Sequence, residues 1–137
     1  MTLRYLIDTD ILLLLRRDNT AVLERFGKIA PSSVAMSVIT YGELLVGEYR
    51  SQRRRETAEE VSSLSELCPV LPLPVNAARE YGLIRAYLER TGEIIGSNDL
   101  WIAAHAIASD LTLVTANERE FRRVRGLKLQ NWSKPPS

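Results

Sequence analysis

Asp8, Glu43, Asp99 and Glu120 sit in four short segments, each setting a carboxylate beside apolar residues: Leu6-Ile7-Asp8-Thr9-Asp10, Tyr41-Gly42-Glu43-Leu44, Asn98-Asp99-Leu100-Trp101 and Asn117-Glu118-Arg119-Glu120-Phe121. Each falls where an apolar run begins or ends, and so at the end of a strand or helix. If the fold gathers them, like charges crowd into one pocket. Two carboxylates 5 Å apart repel by about 3 kcal/mol at an effective dielectric of about 20. Three or four together must take up protons or bind a divalent cation. An all-oxygen donor set selects Mg²⁺ or Mn²⁺. Such ions most often serve phosphate chemistry. The pattern points to a metal-dependent phosphodiesterase.

Other chemistries lack their residues. A metal-independent ribonuclease commonly pairs a general acid with a general base, often two histidines. This chain has only His105, six residues after Asp99 and on another face of the same helix, where it is expected to be structural. No Gly-x-Ser-x-Gly elbow serves a serine triad, and no glycine-rich phosphate loop is present. Cys68 is the single cysteine, which leaves neither an internal disulfide nor a thiolate metal site and fits a reducing cytoplasm.

The elements that must position the carboxylates follow from the apolar pattern. Residues 5–7 form a short buried strand ending at Asp8. Helices are expected over residues 11–17 and 20–29, the second with Val22, Leu23, Phe26 and Ile29 on one face. A strand at 34–38 leads to a helix at 40–50 that carries Glu43 near its start, then to a helix at 56–67. Val70-Leu71-Pro72-Leu73 is a strand whose proline suits an edge. Ala77, Tyr81, Ile84 and Leu88 mark one helical face. Ser97 is expected to cap a helix at 98–108, leaving Asp99 in its first turn. A strand at 111–114, one helical turn at 118–122 and a strand at 127–129 complete the chain. Strands alternating with helices imply a parallel sheet covered on both faces. Ligands of such sheets bind beyond the C-terminal strand ends, where Asp8 and the 115–120 segment fall.

Each carboxylate also has a local explanation. Asp8 or Asp10 can cap the first helix, a role worth about 1 kcal/mol; capping by Asp10 would free Asp8 for a metal. Glu43 can be a solvated helix residue. Asp99 gains about 0.3–1 kcal/mol from the helix dipole, yet the apolar run Leu100-Trp101-Ile102-Ala103-Ala104 marks a helix buried almost all round, where an uncompensated carboxylate is costly. Glu120 can form a surface ion pair, and Glu118 or Asn117 competes with it for a place in the site.

At 137 residues and 45% apolar composition, a single domain over residues 1–137 is expected, with a core that needs no disulfide. The longest unbroken apolar run, residues 11–15, is far short of a membrane span. The residues before Asp8 lack a signal-peptide pattern. A net charge of +1 excludes a polycation that coats nucleic acid indiscriminately. The positive charge is carried by fifteen arginines against three lysines, clustered at Arg16-Arg17, Arg53-Arg54-Arg55 and Arg122-Arg123 with Arg125. Arginine suits bidentate phosphate contact. Helical pairing of Arg53 with Glu56 and Arg55 with Glu59 would absorb part of the middle cluster. Trp101, Trp132 and Cys68 are expected to pack.

Jointly, these segments resemble the PIN-domain ribonucleases, specifically the VapC toxins of bacterial toxin–antitoxin pairs. The most specific stretch is Gly96-Ser97-Asn98-Asp99-Leu100-Trp101-Ile102-Ala103-Ala104-His105, followed by Leu113-Val114-Thr115-Ala116-Asn117-Glu118-Arg119-Glu120-Phe121. Ile39-Thr40-Tyr41-Gly42-Glu43-Leu44 matches the middle acidic segment, and the likeness runs from Tyr5 to Trp132. Ser97 and Ala116 depart from the family's frequent proline and asparagine, and neither departure removes a carboxylate.

The resemblance implies an α/β/α sandwich around a short, mainly parallel sheet, usually dimeric. It implies Mg²⁺, or Mn²⁺, held principally by Asp8 and Asp99. Glu43 would complete the set or position the water, and Glu120 would be a fourth, weaker carboxylate. It further implies cleavage of structured RNA, often a tRNA anticodon stem-loop, and inhibition by a VapB-type antitoxin. Two other readings stand beside it. One is a PIN-like module that grips RNA or a partner without cutting. The other is a haloacid-dehalogenase-like phosphatase that uses Asp8-Thr9-Asp10, although Leu12 departs from that motif.

Overall fold

The structure, a computed structural model, describes residues 2–135. Its elements run β1 (Tyr5–Ile7), α1 (Thr9–Arg16), α2 (Thr20–Gly27), β2 (Val34–Ser37), α3 (Val38–Arg50), α4 (Arg54–Leu67), β3 (Val70–Leu71), α5 (Ala77–Thr91), α6 (Ser97–Ala108), β4 (Thr112–Val114), α7 (Glu118–Phe121) and β5 (Leu129–Gln130). The five strands form one sheet in the order β3-β2-β1-β4-β5, and every pairing is parallel. Tyr5, Leu6 and Ile7 pair with Thr112, Leu113 and Val114.

Side chains alternate across a strand, and β1 uses both faces. Leu6 packs in a cluster with Ile84 and Leu88 of α5 and Ile102 of α6. Tyr5 and Ile7 join Ile11 and Leu12 of α1 and Val61 and Leu64 of α4 in a second cluster. The sheet is thus the middle layer of an α/β/α sandwich, which explains why its strands read as continuous apolar runs rather than alternating ones.

From β1 the chain builds outward on one side through β2 and β3, while β4 and β5 lie on the other. The crevice at the C-terminal ends of β1 and β4 is therefore the sheet's switch point, the usual place for a ligand. Asp8 follows β1 there and Thr115 follows β4. The backbone N–H of Asp8 bonds to Val114 O at 2.9 Å, which fixes the two strand ends together.

Helix starts differ from the sequence expectation by a residue or two. Capping explains the first two of these shifts. Helix α1 begins at Thr9 because Asp8, in extended conformation, caps it through Oδ1. Helix α3 begins at Val38 because the Ser37 hydroxyl accepts the Ile39 N–H at 3.1 Å. The expected cap at Ser97 is corrected: Gly96 is the cap residue of α6, without a side-chain bond, and Ser97 is the first helical residue. Helix α5 ends on Gly92 in the left-handed region, φ 70°, where a residue without Cβ carries little strain.

Trp132 is fully buried against the edges of Tyr5 and Phe26, and Trp101 stacks on Tyr81 with ring centroids 3.9 Å apart. Both tryptophans pack, as does buried Cys68. Arg53 pairs with Glu56 at 3.7 Å on the surface, but Arg55 and Glu59 form no ion pair among the described residues. Among those residues no helix is long and apolar enough to cross a membrane.

Candidate functional site

Four elements deliver carboxylates to the same edge of the sheet. Asp8 closes β1, and Glu43 lies on α3, which leaves β2. Helix α6 runs back toward β4, so its first turn, with Asp99, reaches the C-terminal edge. Glu120 lies on α7, just beyond β4. Their charges act on one another. Burial, then Glu120, Glu43 and Asp10 in that order, push the Asp99 carboxyl up to about 6. Burial, Asp10 and Asp99 push Asp8 up to about 7, against the bonds from Thr115 and Thr9 that lower it. The fold thus brings together all four carboxylates singled out in the sequence.

Asp8 is both a helix cap and a member of the cluster. Oδ1 accepts the Thr9 N–H at 2.8 Å, while Oδ2 accepts the Thr115 hydroxyl at 2.8 Å. Each oxygen keeps acceptor capacity, since a carboxylate offers about four lone-pair sites. Of the two candidate caps, Asp8 caps α1 and Asp10 does not. Asp10 instead reaches across to the segment after β4, accepting the Ala116 N–H at 3.0 Å. Burial raises its carboxyl as well. Ala116 contributes its backbone N–H, a contact that needs no polar side chain at that position.

Glu43 is held by the Thr9 hydroxyl, which donates to Oε1 at 2.8 Å. Glu118, the competitor of Glu120, is engaged elsewhere. Lys134 donates to it at 2.8 Å, Asn131 at 3.0 Å and Arg122 at 3.2 Å, and these partners hold its carboxyl down at about 2. Asn117 donates its backbone N–H to Thr115 Oγ1 at 3.1 Å, a supporting contact. His105 is buried and bonded through Nδ1 to Ser37 Oγ at 2.8 Å, and burial pushes its imidazole below the usual histidine range. It ties α6 to the cap of α3 and takes no part in the cluster.

Sequence reasoning missed Thr9, Thr115 and the bridging role of Asp10. Local signals were thin: a threonine after a strand-end aspartate, and another at the end of β4. The bonds they make span 34, 107 and 106 positions.

The donor set fits a hard divalent cation in its chemistry, being all carboxylate oxygen in a partly dehydrated pocket. Its two most perturbed members are raised by burial and by neighbouring carboxylates, a strain that a bound cation relieves. The spacing is open: among the described residues no three carboxylate, imidazole or thiolate groups stand close enough to hold one ion as they are.

The model of the PIN domain matches residues 5–127. The chain belongs to the PIN-domain family. Within that family it groups with the VapC ribonucleases. It is 35% identical over 132 residues to Ribonuclease VapC1 of Haemophilus influenzae strain R2866, covering 95% of this chain and 98% of the relative. The tRNA(fMet)-specific endonuclease VapC of Shigella flexneri is also 35% identical over 132 residues, with 96% and 99% covered. Among solved structures, VapBC-1 from nontypeable Haemophilus influenzae superposes with a TM-score of 0.88 at 34% identity, covering 98% of this PIN domain and 100% of the matched chain.

Proposed function

We propose that this PIN domain is the toxin of a VapBC-type pair and a metal-dependent endoribonuclease that hydrolyses phosphodiester bonds in structured RNA, with a tRNA anticodon stem-loop as its expected target. The observation that carries the reading is the convergence of Asp8 and Asp99 at the switch point of the sheet, where burial and neighbouring carboxylates raise both carboxyls. Perturbed carboxylates in a cleft mark functional sites more often than structural ones. The relatives' names supply the substrate class.

Asp8 and Asp99, with Glu43 beside them, would hold Mg²⁺ or Mn²⁺, and the bound ion would offset their charge, acidify a water and neutralise the phosphate. Thr115 orients Asp8 through Oδ2, and Thr9 orients Glu43 through Oε1. Glu43 or Glu120 accepts the proton of the attacking water. In-line attack on phosphorus leaves a 5′-phosphate and a 3′-hydroxyl, without use of the ribose 2′-hydroxyl. A VapB-type antitoxin would cover this edge, in keeping with the toxin–antitoxin complex that the chain resembles. We also infer a single PIN domain over residues 1–137, a homodimer and a cytoplasmic location.

The competing reading is a module that binds RNA without cutting it. Membership of the PIN-domain family lends no support to the phosphatase reading. Total bacterial RNA incubated with antitoxin-free protein in Mg²⁺, Mn²⁺ or chelator tests the proposal, with Asp99→Asn alongside and cut ends mapped. Discrete metal-dependent cuts bearing 5′-phosphates, absent in the variant, support the nuclease. Folded protein that binds RNA and cuts nothing with either metal supports the binding module.

A further inference from the structure

Next to the carboxylate cluster a cavity of about 350 Å³ opens between α1 and α3 and the start of α4. Two matching series line it. Along α1 they are Thr9, Leu13 and Arg16, and along α3 they are Glu43, Gly47 and Arg50. Both follow the i, i+4, i+7 spacing of one helical face. The bond from Thr9 to Glu43 joins the two series at the carboxylate end. The arginines stand seven residues along, about 10 Å further by helical rise. Acid lies at one end and base at the other.

Arg16 is half-buried, lines the cavity and is held by Glu60, whose carboxylate takes its Nε at 3.0 Å. Arg50 has no ion-pair partner among the described residues. Ser51 and Thr57 close the wall; their hydroxyls bond each other at 2.7 Å and the backbone of Arg53, so they shape the corner between α3 and α4. Gly47 keeps the floor open. A Cβ built there meets nothing within 4 Å, and its φ is not in the left-handed region, so nothing conformational requires glycine. Glycine is a poor helix-interior residue, and what its absent side chain leaves here is space.

We propose that this cavity is a subsite for one unpaired nucleotide flanking the cut bond, its phosphate held by Arg16 and Arg50. The inference rests on the ribonuclease reading and names how that site grips its substrate. Guanidinium groups match phosphate oxygens in bidentate geometry. The Cα atoms of the two arginines lie about 10 Å along their helices from those of Thr9 and Glu43, which sets them beside a neighbouring phosphate rather than the reacting one. The volume falls at the low end of small-ligand pockets, about 300–1,000 Å³, which suits a nucleotide and excludes a duplex. Leu13 and Leu44 offer an apolar surface to the ribose or base.

Gly47→Leu fills the cavity, and Arg50→Ala removes the uncommitted cation. Thermal melts establish that each folds. Steady-state cleavage of tRNA is measured together with binding of a short single-stranded oligoribonucleotide in chelator, by fluorescence anisotropy. Each variant is expected to raise KM and the oligonucleotide Kd about tenfold, for Arg50→Ala the size of a lost charged hydrogen bond and for Gly47→Leu the effect of a filled subsite, with kcat held within about twofold. Arg50→Ala should also flatten the slope of log K against log salt by about 0.7, one single-strand phosphate contact. Wild-type KM, Kd and salt slope in both variants would overturn the subsite. So would variants that lose only antitoxin binding, which would assign the cavity to the protein partner. The binding arm needs no cleavage, so wild-type protein that fails to cut would count against the ribonuclease reading and leave the subsite to be decided by binding.

Discussion

The Thr115 hydroxyl lies 2.8 Å from Asp8 Oδ2, joining the ends of β4 and β1 across the switch point of the sheet. That bond favours the ionised form of Asp8 and opposes the burial that raises its carboxyl to about 7. Without it, Asp8 would hold its proton to still higher pH.

Thr115→Val therefore tests how the site sets the charge of Asp8. The acid limb of the pH profile of kcat/KM should move to higher pH. At pH 6.5 activity should fall about tenfold, as for one hydrogen bond to a charged group. The Asn117 N–H also loses its acceptor, Thr115 Oγ1, which should cost about 1–3 kcal/mol of stability. An unshifted acid limb in a folded variant would mean that Asp8 does not limit the reaction.

Asp8→Asn should abolish cleavage and yet stabilise the metal-free protein at pH 8. Asp8 titrates near 7 in the folded chain and near its ordinary value of 3.8 when unfolded. A raised carboxyl favours folding fully only below the unfolded value, and that advantage fades as pH rises through about 7. At pH 8 the native state carries a buried charge that asparagine lacks, a penalty on the order of a few kcal/mol. Asparagine also retains the capping oxygen for Thr9. Thermal unfolding in chelator at pH 5 and pH 8 provides the check. A variant less stable than wild type at pH 8 would show that Asp8 is not strained.

Mg²⁺ or Mn²⁺ should relieve the same strain. Asp8 is raised to about 7 and Asp99 to about 6, so binding an ion in the range from pH 5.5 to pH 7 should release protons, and the ion should raise Tm more at pH 8 than at pH 5.5. Titration calorimetry in buffers of different ionisation enthalpy counts the protons. Asp99→Asn should reduce both the proton release and the gain in Tm. If millimolar ion leaves Tm unchanged at pH 8, the carboxylates do not form a metal site.

The buried runs made the fold legible: Tyr5–Ile7 has the same bounds in sequence and structure, because three apolar residues closed by an aspartate leave little choice. Helix starts were less legible. Capping depends on backbone angles, and whether Ser37, Asp8 or Gly96 turns out of extended conformation is decided by the strand or loop before it. The four carboxylates were visible as misfits in apolar surroundings. Thr9, Asp10 and Thr115 were not, since a threonine near a strand end is ordinary until the chain folds. Glu118 and Glu120 differed in nothing that the sequence shows; neighbours thirteen and sixteen residues on, Asn131 and Lys134, separate them.

That separation can be measured. Glu118→Gln should leave kcat within about twofold, because its carboxylate is committed to Arg122, Asn131 and Lys134. Glu118 is held down at about 2, so its contribution to stability is present above its ordinary value of 4.5 and lost as pH falls toward 2. The variant should accordingly unfold at a higher pH than wild type on acidification. Glu120→Gln should do the reverse. It removes a negative charge that raises Asp99, so the Asp99 carboxyl should titrate lower, while kcat falls by about 10²-fold, the low end of what a single general base contributes. Kinetics beside acid-unfolding curves for both variants distinguish them. If Glu118→Gln instead lost kcat and Glu120→Gln kept it, the fourth carboxylate would be Glu118, drawn away from its lysine when substrate binds.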